Sequence, residues 1–530
     1  MSKVSEFSAQ TNRLAQSRLL FSWLADDRER ADLYQCLANE KQVLRFQSRA
    51  DTKRTDNDPS VFQQDVYLLA DPEHVQLALT DPRQFGNDPY QALGSGTFML
   101  GLGGAAHDRQ RAFATAVLAA NSELDLGHVA VLSVLAYKTA SIQPLKERYF
   151  DVAELAEQAA LRFAGFFFGY ALGDHYLLET TLRKAYRGLN HQILGRHFVS
   201  DPFALLEANA AMGQLLVRTA LLIDLYRQPV GVDQQEEAET IEREFREVST
   251  NLEAGLDRLK VPTPRPPFKP ILKRLAEAPG DYSCSERAVI AVGLMAGMVG
   301  NVQAAVSIAV ADFFATGWPR GWEEPKALQG RISEALRKQP PAAFLPRVTR
   351  QQVHLRDARG QAHQIPAGAT VLLAMGAAPA ANVGFDHVFG GSLSNSQFVH
   401  SCIGRHLAMP LVATTVREVL SLPGLAQTID PKTGATTGLK KLWGFKCESY
   451  PLQFNRDAVL IQQPLNVIMR VKTPVSFHAE ALKLVIKYGA PRIELKLKGS
   501  RHVHFAWFQF LENDTKLALL TVYDGDFDAY

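Results

Sequence analysis

A lone cysteine offers the first chemistry in this 530-residue sequence. Cys402 lies in Phe398-Val-His-Ser-Cys402-Ile-Gly404-Arg-His-Leu-Ala408, a short loop feeding an apolar helix. A cysteine becomes a metal-holding thiolate where backbone N–H groups and a helix N-terminus stabilise its charge, and a neighbouring glycine lets the backbone approach a flat cofactor. The stretch therefore suits a thiolate ligand to haem iron. It also suits a buried structural cysteine ahead of a helix, and the local residues do not separate the two.

Other residues are spaced so that they could do chemistry. Glu334-Ala-Leu-Arg337 puts a carboxylate and a guanidinium one turn apart on one helix face. Taken alone, this is a solvated pair contributing roughly a few tenths of a kcal/mol. Gly101-Leu-Gly103-Gly-Ala-Ala106 has the glycines of a dinucleotide-binding turn but neither the surrounding parallel strands nor a placed acid, so nucleotide binding is set aside. His502 and His504 share one strand face at i,i+2. No third ligand accompanies them, so structural or exposed histidines are expected there.

The elements that must position these residues are mainly helical. Residues 1–60 are polar and helical in pattern, Asp65–Ala70 reads as a strand, and Pro72–Thr80 as a short helix. Helical spacing then runs from His107 to about Gln235, and Pro262-Thr-Pro-Arg-Pro-Pro267 is a stiff connector. Ser283-Cys-Ser-Glu286 is a capping box opening a long buried helix to about Ala315. A helix over Glu323–Lys338 stops at Pro340-Pro341, a small hairpin joins Val353–Arg356 to Gln364–Leu373, and an apolar helix covers Leu407–Leu420.

Composition excludes several classes. Hydrophobic residues form 46% of the chain, enough for a large core and more than one domain. Lys and Arg number 57 against 55 Asp and Glu, and the net +2 gives no electrostatic reason to expect nucleic acid or an anionic membrane. Cys36, Cys284, Cys402 and Cys447 lie far apart without a C-x-x-C pair, which argues against a disulfide framework or zinc site and suits a reducing compartment. The N-terminus has no apolar run long enough for a signal peptide, so a cytoplasmic location is expected. Ala288–Val310 is membrane-like in hydropathy, but its Gly, Ala, Gln303 and Ser307 fit a helix buried in a large soluble core, and no membrane span is expected.

In chain order, the Glu334–Arg337 helix, the proline-rich turn with Arg347, the small sheet and the Cys402 loop resemble the cytochrome P450 family, in its soluble bacterial type. The resemblance covers roughly residues 55–460. It takes in Asp65–Phe85 as the family's first strand and B helix, and His107-Asp-Arg-Gln-Arg111 as the start of its C helix. It implies a mainly α fold with small β-sheets and haem b as cofactor, with Cys402 the axial ligand of the iron and Gly404 beside it. His107, Arg111, Arg347 and His400 would pair with the haem propionates, since carboxylates partly removed from water need cationic or N–H partners. Glu334 and Arg337 would form a buried, bidentate ion pair beneath the haem. The implied activity is oxidation of an apolar small molecule held against Met295–Asn301. A monooxygenase would draw electrons from a separate ferredoxin or flavodoxin, because no flavin or iron–sulfur segment is visible.

Three departures bear on that activity. Asn395, Ser396 and Phe398 replace the Phe-Gly and second glycine that usually open the cysteine loop. The segment Ala374–Phe385 lacks the usual Asn-Arg-Asp-Pro turn. The long helix carries Ala296-Gly297-Met298-Val299-Gly300-Asn301 where oxygen-splitting relatives carry Ala-Gly-x-Asp/Glu-Thr, so Val299 and Gly300 replace the proton-relaying acid and alcohol. A positioned proton donor commonly contributes on the order of 10²–10⁴ in rate. Either water or substrate replaces the relay, or the reaction is that of a peroxygenase or hydroperoxide-rearranging enzyme in which Asn301 orients the peroxide oxygen. Glycines in a helix interior each cost about 1 kcal/mol against alanine, consistent with a ligand or haem lying against this helix. The alternative to an enzyme is a haem-binding partner or sensor on a degenerate scaffold.

Beyond Pro464 the pattern becomes strand, helix, strand, strand, like the first part of a ferredoxin-like α+β module. The sequence thus divides into a haem domain over 1–460 and a partial module over 461–530. Either a second chain, in a dimer or from a partner, completes that module, or the natural module is longer.

Overall fold

The computed structural model describes residues 3–10, 12–49, 62–92, 98–119, 123–138, 149–199, 201, 203–227, 235–237, 239–241, 243–244, 269–318, 322, 324–377, 387–391, 397–430, 432–442, 446–454, 462–498 and 503–524. The proline-rich connector at 262–267, most of 374–385, Asn395, Ser396 and His502 lie outside these residues. Two compact units are present. The first takes in Met1–Val134, Asp151–Arg417 and Gly438–Tyr450, and the second Leu135–Phe150, Glu418–Thr437 and Pro451–Tyr530. The second unit thus adds two upstream segments to the run from 461.

The first unit opens with α1 (Lys3–Ala9), α2 (Arg13–Ala25) and α3 (Asp27–Asn39), followed by β1 (Val43–Arg49), β2 (Phe62–Leu69), α4 (Pro72–Thr80) and β3 (Phe85–Gly86). Strand β1 was hidden in a stretch whose pattern reads as helical. It alternates buried Leu44, Phe46 and Ser48 with more exposed neighbours and pairs antiparallel with β2. Helices α5 (Gly104–Ala119), α6 (Glu123–Tyr137), α7 (Val152–Phe168), α8 (His175–Ile193), α9 (Ala204–Arg227) and α10 (Ile271–Glu277) lead to α11 (Cys284–Thr316) and α12 (Pro325–Lys338). Strand β4 (Tyr149–Asp151) lies between α6 and α7.

Four strands follow: β5 (Phe344–Thr349), β6 (Val353–Arg356), β7 (Ala362–Ile365) and β8 (Thr370–Ala374). The expected hairpin is real only between β6 and β7. Strand β8 leaves it to lie between β2 and β5 in a five-stranded sheet ordered β1-β2-β8-β5-β3. Its run of buried residues, Val371 to Ala374, is that of a strand covered on both faces. Leu44, Phe46, Val66, Leu68 and Leu372 pack on Leu20, Trp23, Leu33 and Leu37 of α2 and α3. Tyr67, Leu69, Val371 and Leu373 pack on Val75 and Leu79 of α4 and on the β6–β7 hairpin.

Helix α11 is the axis of this unit. Ser283 caps it, accepting from the Glu286 N–H at 3.2 Å while Glu286 accepts from the Ser283 N–H at 2.8 Å. This is the reciprocal box the sequence announces. The helix is long and apolar enough to cross a membrane, yet its most apolar window is 72% buried, packed against α7, α8 and α9. Helix α13 (Arg405–Leu420) carries the residues after Cys402, and the hairpin β10 (Lys440–Leu442)–β11 (Lys446–Ser449) comes later, after the short β9 (Ala426–Gln427) of the second unit.

In the second unit, β12 (Pro451–Gln453) lies between β4 and β9. Strand β13 (Gln462–Arg470), helix α14 (Val475–Lys498), β14 (Val503–Leu511) and β15 (Lys516–Asp524) follow in the order the sequence pattern suggests. The sheet order is β13-β15-β14, all neighbours antiparallel. Phe508, Phe510 and Leu517 pack with Val475, Ala479, Leu482 and Ile486 of α14.

Candidate active site

The Cys402 loop is set by backbone bonds and by two glycines that motif reading missed. Phe389 O accepts from the Cys402 N–H at 2.8 Å, and Gly404 O accepts from the N–H groups of Leu407 and Ala408 at 3.0 and 2.9 Å, opening α13. Gly390 and Gly391 take φ of 68° and 115°. A Cβ on Gly391 would collide with the Phe398 ring, so this pair performs the sharp turn that the absent upstream glycines would have made. The Arg405 guanidinium lies 4.7 Å over the Phe389 ring, which fixes the loop from the helix side.

Cys402 faces a cavity of about 340 Å³ in the first unit. Its thiol is open to that cavity while protein surrounds it, so burial pushes it above the ordinary thiol value. The Gly404 N–H, the Arg111 and Arg405 guanidinium groups and the Arg405 N–H pull the other way. These are the groups that favour a thiolate once a metal supplies the remaining charge compensation.

Beside the cysteine, cationic and imidazole side chains converge. The His107 and His400 rings meet edge to face at 4.3 Å, and both line the cavity with Arg111. Arg111 donates to the Ser401 carbonyl at 2.8 Å and to the Ser401 hydroxyl at 3.0 Å, tying α5 to the cysteine loop. Burial pushes His400 down to about 2, with Arg347, His107, Arg111 and Arg350 adding repulsion. Arg347 is 3% exposed; its guanidinium donates to the Pro346 carbonyl at 2.9 Å and lies against the Tyr90 hydroxyl. Neither partner is an anion, and among the described residues Arg347 makes no ion pair. A buried cation without a counter-ion is costly, so the cluster is built to receive an anionic group.

On the opposite side, α11 presents Ala296, Gly297, Met298, Asn301, Val302 and Ala305 to the cavity. Of the three candidates read from the helix motif, only Asn301 lines it. Its amide donates to the Gly297 carbonyl at 2.6 Å, one turn back. Val299 is buried at 2% exposure, and Gly300 faces α8, where a Cβ would collide with Cε2 and Cζ of Tyr186. Met295 is likewise buried away from the cavity. The helix glycines therefore serve different ends. Gly293 admits the Phe98 ring and Gly300 the Tyr186 ring, while a Cβ on Gly297 would meet open space. Only Gly297 answers the expectation of a ligand lying against the helix.

Glu334 and Arg337 are not the buried bidentate pair the resemblance implies. Glu334 is 48% exposed and accepts from Arg331 at 2.5 Å, with Lys338 at 4.0 Å on the next turn. Arg337 is exposed on the same face. The reason is helical period: Leu328, Ile332, Ala335 and Leu336 turn the opposite face inward. Motif reading also passed over Tyr90, Arg350, Phe98 and Tyr186. Arg350 has a faint signal, a second arginine three residues after Arg347; Tyr186 has only the unexplained glycine at 300.

Cys402, Gly297, the apolar walls, Arg111 and the buried Arg347 fit a haem: a thiol for the iron, open space against a glycine, and positive charge for carboxylates. No protein-family model matches the sequence, and no curated protein matches it. Solved structures do match. Ligand-free cytochrome P450 TbtJ1 is 17% identical, with 83% of this chain and 98% of that chain covered at a TM-score of 0.53. P450BioI, solved in complex with an acyl carrier protein ligated to hexadec-9Z-enoic acid, is 16% identical, with 82% and 100% covered at 0.55. CYP109E1 from Bacillus megaterium, solved with testosterone, is 15% identical, with 80% and 98% covered at 0.53. TM-scores of 0.53–0.55 and cover of nearly the whole of each neighbour show that this chain has the cytochrome P450 fold.

Proposed function

We propose that the protein is a haem-thiolate oxidoreductase that oxidises an apolar small molecule. The observation that carries this is Cys402, facing an apolar cavity beside the buried Arg347, which makes no ion pair among the described residues. Haem held through Cys402 would supply an iron centre whose thiolate ligand favours O–O cleavage. The chain's own residues do the rest. Arg347, Arg111, His107 and His400 hold the carboxylates of the group and so fix its orientation. Gly404 and Arg405 stabilise the thiolate through N–H groups at the start of α13. Met298, Val302, Ala305 and Leu336 bind the apolar substrate and exclude water.

Two sources of oxidising power are compatible with this site: O₂ with electrons from a separate ferredoxin- or flavodoxin-type protein, or peroxide without a reductant. Val299 and Gly300 favour the peroxide route, because the aligned positions of α11 hold no acid or alcohol. The test is turnover. Purified haem-loaded protein given a lipid hydroperoxide without reductant consumes it under the peroxide reading, and no consumption removes that reading. If reductant, redox protein and O₂ also give no product from a broad apolar panel, a non-catalytic haem-binding role on this scaffold takes its place.

A further inference from the structure

Helix α14 of the second unit carries two apolar stripes. Val475, Ala479, Leu482 and Ile486 pack with Phe508, Phe510 and Leu517 of its own sheet. Two residues after each of them stand Phe477, Ala481, Leu484 and Tyr488. At 3.6 residues per turn, two positions are about 200° of rotation, so the second stripe lies on the side of α14 away from the sheet. Phe477, Leu484 and Tyr488 are 68%, 54% and 72% exposed, and Val485 beside them is 67% exposed. Single apolar residues scattered over a surface need no partner, but these form a row. Their spacing of four, three and four is that of a heptad seam, which one helix buries against another.

The flanks of the seam identify its occupant. With Ala481 and Tyr488 at a and Phe477 and Leu484 at d, Glu480 and Lys487 fall at successive g positions, and His478 and Val485 at successive e positions. An identical helix laid antiparallel, with Ala481 opposite Leu484 and Phe477 opposite Tyr488, matches the seam with itself. The same register sets each Glu480 beside Lys487 of the other copy, and each Val485 beside His478. A parallel pair would instead set g against e and leave Glu480 facing Val485. Glu480 is 3.0 Å from Lys483 in its own helix, yet its side chain stays 69% exposed, and Lys483 also donates to Asp514 at 2.6 Å. Lys487 lies 5.8 Å over the Tyr488 ring and makes no ion pair among the described residues.

We infer that α14 docks a second copy of this chain, whose own α14 lies antiparallel to it about a two-fold axis at the level of residues 482–483. The contact is isologous, the usual form in homodimers. The seam spans about three turns and covers less than the roughly 800 Å² per partner of a standard interface, so the dimer is reversible and forms with concentration. Only the second unit is involved, and the haem-thiolate reading is not needed for it.

The experiment is sedimentation equilibrium of the full chain between about 1 and 100 µM, where the wild type passes from monomer to dimer. Leu484→Lys puts a charge into the seam and stays monomeric throughout, with its far-ultraviolet circular dichroism unchanged. Glu480→Lys and Lys487→Glu each set like charges together twice and weaken the dimer about tenfold. Mixed in equal amounts, these two variants form a heterodimer of wild-type strength, because each contact again joins opposite charges. A wild type that is monomeric over the whole range overturns the inference and gives the seam to a helix of another protein. Dimers that neither charge variant weakens, or a mixture no tighter than either variant alone, overturn it as well. Should Leu484→Lys fail to fold, the two charge variants, which change only exposed side chains, decide the question.

Discussion

The two faces of the cavity are built by opposite rules. On the cysteine face, Cys402, Gly404 and Arg405 are consecutive or nearly so, and their geometry follows from one turn and the first bonds of a helix. On the α11 face, the important partners are remote in sequence: Phe98 against Gly293 and Tyr186 against Gly300. A local motif can encode the first kind of site because the chain itself sets the spacing. The second kind depends on which helix crosses which, so its signature in sequence is an absence, a glycine where a functional side chain was expected.

The largest expected effect tests the cysteine face. Cys402→Ala abolishes the thiolate-type Soret band of the reduced CO complex and brings product formation to background; an unchanged band would sink the axial assignment. Arg347→Met comes next, and its sign depends on state. In the haem-loaded protein it weakens haem retention by about 10–100-fold, measured by transfer to a haem acceptor, the range typical of lost partners around a metal group. In the haem-free protein, removing a buried cation without a counter-ion leaves the urea midpoint unchanged or raises it. A lower midpoint in the haem-free variant would show that Arg347 is a packing residue.

A paired substitution on α11 sharpens the contrast between its own positions. Gly300→Ala forces the Tyr186 ring to move and destabilises the haem-free protein by about 1–3 kcal/mol, the usual cost of overpacking. Gly297→Ala, one turn away toward the cavity, gains helix propensity and stabilises it by up to about 1 kcal/mol. Equal effects in urea unfolding would mean that the Tyr186 contact does not constrain the helix. Glu334→Gln gives the smallest change, about 0.5 kcal/mol or less, because its carboxylate is solvated. A loss of about 3–5 kcal/mol would restore the buried pair with Arg337 that the structure does not have.

Much of the frame was legible in the sequence. The Ser283–Glu286 box fixed the start of α11 within a residue, and the Pro72–Thr80 helix appears with the bounds its pattern suggests. Those signals are local: a cap, a proline and a period. Strand β1 was missed because its alternation is short and polar residues separate its apolar ones. Strand β8 was assigned to the wrong partner because strand neighbours are chosen by packing, and a run of apolar residues cannot say which edge it joins. Glu334 and Arg337 show the same limit in reverse, since motif spacing puts them on one helix face without saying whether that face looks inward.

The sequence by itself determined the cysteine turn, the helix it feeds, the arginines and histidines at His107, Arg111, Arg347 and His400, and the lack of an acid and alcohol at Val299 and Gly300, because residue types and short spacings are written directly in the chain. Only the tertiary structure decided that Arg347 is buried without an ion pair among the described residues, that Gly390 and Gly391 shape the turn, and that Tyr186 stands against Gly300. The physical reason is range: caps and turns are closed by hydrogen bonds within a few residues, whereas the contents of a cavity are set by contacts between helices far apart in the chain.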